Sequence, residues 1–149
     1  MHNMIKISNL DFGYKNQSVF KNISLSFEMG NIYGLLGENG VGKTSLLKLI
    51  SGLQKPAAGT CTVDDIAAFN RWPETLRKMF FISEDFAIPE GTPINNVCAL
   101  GKFYPNFDEH LFHEICEEML VDPKRKYAEM SFGQQKKCMI ATALSLNTA

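Results

Sequence analysis

The chain has 149 residues and a mass of 16.7 kDa, enough for one domain with a substantial core. Its 45% hydrophobic and 21% charged residues are ordinary for a soluble globular protein. The formal net charge of -1 argues against a nucleic-acid binder that works by broad electrostatics, and the short basic runs Lys124-Arg125-Lys126 and Lys136-Lys137 read as solvated surface.

The four cysteines, Cys61, Cys98, Cys116 and Cys138, lie far apart with no C-x-x-C pair. That spacing excludes a zinc site and a small disulfide scaffold, and it predicts reduced, mostly buried thiols in a cytosolic protein. The start, Met1-His2-Asn3-Met4, lacks the apolar stretch of a signal peptide. No apolar run reaches the length needed to cross a bilayer, so any membrane role is expected through a partner.

Taken in order, Ile5 and Ile7, then Leu10 and Phe12, alternate with polar residues as in a half-buried strand. Tyr14 stands at its end, Lys15-Asn16-Gln17-Ser18 reads as a turn, and Ile23, Leu25 and Phe27 mark a second strand. An antiparallel sheet is therefore expected first. Next comes Asn31-Ile32-Tyr33-Gly34-Leu35-Leu36, a short apolar run of buried-strand type.

That run leads into Gly37-Glu38-Asn39-Gly40-Val41-Gly42-Lys43-Thr44, which has the form G-x-x-x-x-G-K-[ST] of a phosphate-binding loop. The three glycines let the loop curl so that successive N–H groups point inward and phosphate oxygens approach without meeting a side chain. Ser45 to Ser51 continue as a helix with leucines on one face and Gly52 at its C-cap, so the phosphate also meets a helix N-terminus. Lys43 is expected to place its charge beside the β- and γ-phosphates, and Thr44 to offer its hydroxyl to Mg²⁺.

Beyond a Pro-Gly loop, Cys61-Thr62-Val63 reads as a short strand, a helix is expected from Pro73, and Met79-Phe80-Phe81-Ile82 as a strand ending at Ser83-Glu84-Asp85. The pattern then turns helical. Thr92-Pro93 reads as an N-cap with Pro at N1, and Asp108 caps a helix with Leu111, Phe112, Ile115, Cys116, Met119 and Leu120 on one face. Phe107 and Phe112 occupy the positions of a hydrophobic staple. His110 and His113, near Glu114 and Glu117, are expected on a solvated helix face rather than at a metal, because no further ligand group is implied.

Ser131 and Gln134 form a capping box before an apolar-faced helix running through Leu144. Gly133 beside the cap leaves a second helix N-terminus with bare backbone donors. Two such ends in one chain suggest a nucleotide gripped from two sides.

These residues support a family. The chain resembles the ATP-binding cassette of ABC transporters over essentially its whole length. Gly37 to Thr44 matches the family's Walker A loop, with Ser45 following. Ser131-Phe132-Gly133-Gln134 is similar to its signature motif L-S-G-G-Q, with Met130 and Phe132 as departures. Tyr14 falls where the family carries an aromatic that stacks on adenine. The helical stretch between the motifs is similar to the family's helical subdomain, and its Phe103-Tyr104-Pro105-Asn106-Phe107-Asp108 run resembles cassettes of small bacterial export systems.

The resemblance implies an α/β P-loop NTPase fold, with an N-terminal antiparallel β subdomain and a helical subdomain. Residues 1–88 would form the β and P-loop region, 89–130 the helical subdomain and 131–149 the signature helix. It implies ATP and Mg²⁺ as cofactors, with Lys43 catalytic and Tyr14, Gly37, Glu38, Asn39, Gly40, Val41, Gly42, Lys43, Thr44, Ser45, Ser131, Phe132, Gly133 and Gln134 binding nucleotide. It implies a head-to-tail second cassette and a transmembrane permease as partners, no nucleic acid, and a cytoplasmic position on the inner face of the membrane.

Two departures shape the expectation. Where the family has a Mg²⁺-sensing glutamine, this chain has Glu84, a charged oxygen donor that can still take the metal beside Thr44. No apolar run ending in Asp-Glu follows the phosphate loop, so the family's Walker B strand and catalytic Glu have no counterpart here. The chain therefore reads as a truncated cassette with an incomplete core sheet, one that binds nucleotide with little turnover and self-associates or swaps segments through its open strand edge. The alternatives are a soluble non-transport ABC protein, a P-loop kinase and a non-hydrolytic nucleotide-binding or regulatory module.

Overall fold

In a computed structural model describing residues 3–15 and 17–148, the chain divides into two compact units, residues 1–79 and 80–149. The first unit is built on a four-stranded sheet in the order β2-β1-β3-β4, antiparallel throughout. Its strands are β1 (Asn3–Tyr14), β2 (Gln17–Glu28), β3 (Ala58–Val63) and β4 (Ile66–Ala67). Helix α1 (Lys43–Ile50) covers the sheet, and a short α2 (Pro73–Leu76) starts with its proline at N1.

The alternation in β1 breaks between Ile7 and Leu10, where two residues rather than one separate core positions. A bulge accounts for it: Asn9 takes a φ of 47°, and the pairing with β2 slips between Ile7↔Leu25 and Leu10↔Ile23. Asparagine tolerates that left-handed backbone, and here its Nδ2 donates to Asn22 Oδ1 at 2.9 Å. The extra residue returns Ile7, Leu10 and Phe12 to one buried face, packed with Leu46 and Leu49 of α1 and Cys61 and Val63 of β3. Leu25 is exposed, because β2 is the outer strand and α1 covers the sheet's centre. The turn joining β1 to β2 is tighter than expected. Gln17 already pairs with Tyr14, so Gln17 and Ser18 belong to β2, and Asn16 lies outside the described residues.

Helix α1 ends in a Schellman motif: Gly52 N donates to Leu49 O, and Leu53 N to Lys48 O at 2.8 Å. Gly52 has a φ of 69°, and a Cβ there would stand 2.2 Å from Ala68 O, so both backbone and space require glycine.

Two expected strands are not formed. Residues 31–36 carry no regular structure, and Ile32, Tyr33, Leu35 and Leu36 are exposed. A buried strand needs neighbours on both edges, and among the described residues none runs beside this segment. It is anchored through Tyr33, whose hydroxyl accepts from Glu28 N at 2.9 Å and whose ring meets Phe27 edge-on. Residues 79–82 likewise enter no ladder; Met79 packs against the core of the first unit instead.

The second unit contains α3 (Pro93–Gly101), α4 (Glu109–Glu118) and α5 (Phe132–Ser145). Thr92 caps α3 through Asn95 N, and Asp108 caps α4 through Leu111 N at 3.0 Å. Asp108 N donates to Ser145 O, so the start of α4 lies at the end of α5 and the two run antiparallel. Phe112, Ile115 and Cys116 of α4 join Val97, Tyr127, Cys138 and Ala141 in one core, with Phe107 packed against it as the staple requires. Leu120 departs from the expected face. It sits past the helix end at φ 56°, 85% exposed, as the left-handed residue of another Schellman turn.

Helix α5 buries a face of small and polar residues, Gln135, Cys138, Ala141, Thr142 and Ser145, whereas Ile140 and Leu144 are exposed. Close packing on α4 suits small residues, and Ile140 and Leu144 fall on the opposite side of the turn. All four cysteines are free thiols and three are buried. Burial pushes the Cys61 thiol up to about 11, while a hydrogen bond to Cys138 and burial raise that of Cys116. These are core residues rather than nucleophiles. Among the described residues, no helix is long and apolar enough to cross a membrane.

Candidate nucleotide site

Gly42 makes the turn from loop to helix. It is the N-cap of α1 in a left-handed conformation, φ 109° and ψ 7°, and no side chain caps the helix. A Cβ at this position would lie 2.6 Å from Val19 Cγ1 and 2.9 Å from Phe20 Cζ, so the sheet presses directly on the glycine backbone. The first turn of α1 carries no acidic residue, and its first intrahelical bond runs from Leu46 N to Gly42 O. The N–H groups of Lys43, Thr44 and Ser45 thus begin a helix without a competing carboxylate, which is what an anion requires.

Lys43 closes the loop over this end. Its ammonium donates to Gly37 O at 2.7 Å and Glu38 O at 2.8 Å, which holds the charge across residues 37–42. Gly37, Glu38, Asn39, Gly40 and Val41 are exposed, and the loop's one internal backbone contact is a long bond from Val41 N to Glu38 O. Phosphate oxygens can replace these carbonyls as partners of Lys43, because both are anionic or strongly polar acceptors. Thr44 is exposed at the second position of α1, leaving its hydroxyl open to a cation.

Tyr14 ends β1 beside this loop. Its hydroxyl and Ser45 Oγ share a hydrogen bond at 3.1 Å, and its ring meets Phe12 edge-on at 5.0 Å. The ring itself remains exposed. Ser45 is buried, so the residue after Thr44 fixes an aromatic on the sheet relative to the phosphate loop. Sequence spacing did not reveal that contact.

The second motif lies in the second unit. Ser131 Oγ accepts from Gln134 N at 3.3 Å and Gln134 Oε1 accepts from Ser131 N at 3.0 Å, a complete capping box. Gly133 stands at the second helical position, and a Cβ there would meet nothing within 4 Å. Phe132 is exposed, stacks on Phe86 with centroids 6.3 Å apart, and has Lys136 Nζ 4.6 Å from its ring centre. Glu84 lies exposed in a bend two residues before Phe86.

Gln135 and Phe86 were not singled out from the sequence, and Lys136 was read there only as solvated surface. Gln135 is buried and its Nε2 donates to Tyr127 O at 2.9 Å and Met130 O at 3.3 Å, tying the segment before Ser131 to α5. The signal was available: an amide spaced with Cys138, Ala141 and Thr142 on a buried helical face must find partners inside.

Among the described residues, no group of three or more His, Cys, Asp or Glu could hold a metal. His110 and His113 pair with Glu114 and Glu109 on an exposed helix face, as expected. A cation at Thr44 would therefore take most of its ligands from phosphate and water, which is how Mg²⁺ is usually held.

Comparison with known proteins shows the family. The family model described as ABC transporter matches residues 20–149. The chain is 28% identical over 147 residues to the ABC transporter ATP-binding protein YtrB of Bacillus subtilis, covering 98% of this chain and 50% of that protein. It is 31% identical to the lipoprotein-releasing system ATP-binding protein LolD of Leptospira interrogans, covering 96% of this chain and 65% of the relative. A solved putative ABC transporter ATP-binding protein from Pyrococcus furiosus superposes with a TM-score of 0.81 at 28% identity, over 97% of this chain and 71% of that one. The chain thus spans about half to two thirds of the length of these curated relatives. On the match over residues 20–149, the chain belongs to the ABC transporter family, as an ATP-binding cassette with an α/β fold.

Proposed function

We propose that this chain is the ATP-binding subunit of an ABC transporter, holding ATP at residues 37–45 and driving transport through a separate membrane subunit. The observation that carries the reading is Lys43, held by Gly37 O and Glu38 O across the uncapped start of α1. In this reading Lys43 exchanges its carbonyl partners for the β- and γ-phosphates and stabilises the charge that develops on them. The N–H groups of Gly40 to Ser45 orient the phosphate chain, and Tyr14 stacks on adenine with its hydroxyl restrained by Ser45. Thr44 and Glu84, the latter in place of the usual glutamine, would hold Mg²⁺, which would supply neutralisation of the phosphate charge.

Ser131, Phe132, Gly133 and Gln134 would meet the nucleotide of a second cassette, head to tail. The subunit would work on the cytoplasmic face of the membrane, beside its permease. Residues 1–149 contain no apolar run ending in Asp-Glu after Thr44, so this stretch supplies phosphate binding without the water-orienting carboxylate.

The test is titration of the chain with a fluorescent ATP analogue and Mg²⁺, alongside phosphate release. Saturable binding that Lys43→Ala weakens about 100-fold, with turnover near background, is the expected result. Binding that is indifferent to Lys43 would overturn the site. Robust Lys43-dependent hydrolysis would overturn the account of what these residues lack.

A further inference from the structure

We propose that Cys116, Cys138 and Met130 form a binding site for a soft monovalent cation of the Cu(I) class, inside the core of the second unit. Cys116 lies on α4, Cys138 on α5, and Met130 directly before the capping Ser131. Both cysteines are fully buried and Met130 is 8% exposed, all three in one core built by the second unit's own helices. Cys138 Sγ donates to Met130 Sδ at 3.8 Å, and the Cys116 thiol donates to Cys138 Sγ. A metal–sulfur bond of about 2.3 Å sets ligand sulfurs about 3.8–4.0 Å apart in tetrahedral or trigonal geometry. Cys138 and Met130 therefore already stand at the separation of two ligands of one ion. Two thiols and a thioether are the soft donors that select Cu(I), whereas a structural zinc site takes four ligands, none of them a thioether.

Charge balance favours a single positive charge. By donating, the Cys116 thiol raises its own pKa and lowers that of Cys138, so Cys138 is the thiol that releases its proton. The cation takes the place of the proton between Cys138 Sγ and Met130 Sδ. The S–H bond breaks, its electron pair stays on sulfur to form the sulfur–metal bond, and the proton leaves to water. Cys116 keeps its proton and supplies a third sulfur, no electron is transferred, and the net charge of the core is unchanged. A divalent ion would leave one uncompensated charge there, which an apolar interior penalises heavily. Asp122, whose negative charge acts on Cys138, favours a cation at the same place. Met130, the donor of the three that reaches solvent, gives the ion its way in.

Anaerobic titration of the reduced full chain against Cu(I) held by a chromophoric chelator tests this. One Cu(I) per 16.7 kDa chain should leave the chelator, with a thiolate-to-copper absorption band and a raised melting temperature. X-ray absorption of the loaded wild-type chain should show sulfur neighbours at about 2.3 Å. Met130→Leu conserves volume and should fold normally while weakening retention at least ten-fold. Cys138→Ala should abolish it, and the double variant Cys61→Ala/Cys98→Ala, which removes the other two thiols, should bind as wild type. The proposal fails if the wild-type chain takes no Cu(I) from the chelator, or if oxygen and nitrogen neighbours dominate the absorption spectrum. It also fails if Met130→Leu binds as tightly as wild type, if the double variant loses the metal, or if Zn²⁺ is taken up equally well.

Discussion

Replacing Gly42 by alanine separates what this position does for folding from what Lys43 does for binding. Gly42 holds φ 109°, where a side chain is strained, and an added Cβ would stand 2.6 Å from Val19 Cγ1 and 2.9 Å from Phe20 Cζ. Those two atoms are side-chain ends that can move, so overpacking costs at the lower end of its range, about 1 kcal/mol. The backbone strain cannot be relieved without moving the loop, and costs about 1–3 kcal/mol. The sum for Gly42→Ala is about 2–4 kcal/mol, together with loss of nucleotide binding because the loop must shift. Lys43→Ala provides the contrast. Its two acceptors, Gly37 O and Glu38 O, are on an exposed loop and return to water, so stability changes by about 0.5 kcal/mol or less. Its binding loss should be about 100-fold, the worth of one or two charge-assisted hydrogen bonds at about 1.5–3 kcal/mol each. Urea unfolding followed by circular dichroism gives the stabilities, and nucleotide titration gives the affinities. If Gly42→Ala is as stable as wild type and binds normally, the steric and conformational role assigned to Gly42 is wrong.

Three further outcomes follow from the packing. Gln135→Ala removes donors to Tyr127 O and Met130 O, and since Tyr127 O also accepts from Met130 N, one buried carbonyl is orphaned; the expected loss is about 2 kcal/mol by urea unfolding. Leu120→Gly relieves a left-handed, exposed leucine and should stabilise the second unit by about 1 kcal/mol, read as a higher urea midpoint at unchanged slope. For Cys61 the folded thiol is raised from 9.0 to about 11, so above the unfolded value the unfolded chain releases a proton that the native state keeps. Stability should therefore be unaffected below pH 9 and fall as pH rises from about 9 to about 11, with a shallower fall in Cys61→Ala; equal slopes in the two proteins would refute the assignment.

What could be read from the sequence is what local chemistry decides. The loop at 37–44, the caps at Thr92, Asp108 and Ser131, the C-terminal glycine at 52 and the hairpin of β1 and β2 each depend on a few adjacent residues. Even the bulge at Asn9 left a trace, in the three-residue step from Ile7 to Leu10. The misreadings share another cause. Asn31 to Leu36 and Met79 to Ile82 have the composition of buried strands, but a strand exists only with a neighbour, and composition cannot tell whether the neighbour is there. Leu120 was assigned to the buried face by its spacing, yet α4 had already ended at Glu118.

The same distinction governs the second motif. A capping box alone explains Ser131 and Gln134, and both of its hydrogen bonds are formed. What capping does not explain is Phe132. An exposed aromatic at the first helical position adds nothing to a cap, yet it stacks on Phe86 and lies under the Lys136 ammonium. That contact joins the loop after Glu84 to the start of α5, two segments that the sequence separates by more than forty residues. Gln135 fixes the other side of the same turn through Tyr127 O and Met130 O. The helix end bearing Gly133 is thus held from both flanks by side chains while its own backbone stays uncovered. Rigid surroundings with free donors are what a pre-formed anion contact requires, because little order then remains to be imposed on binding.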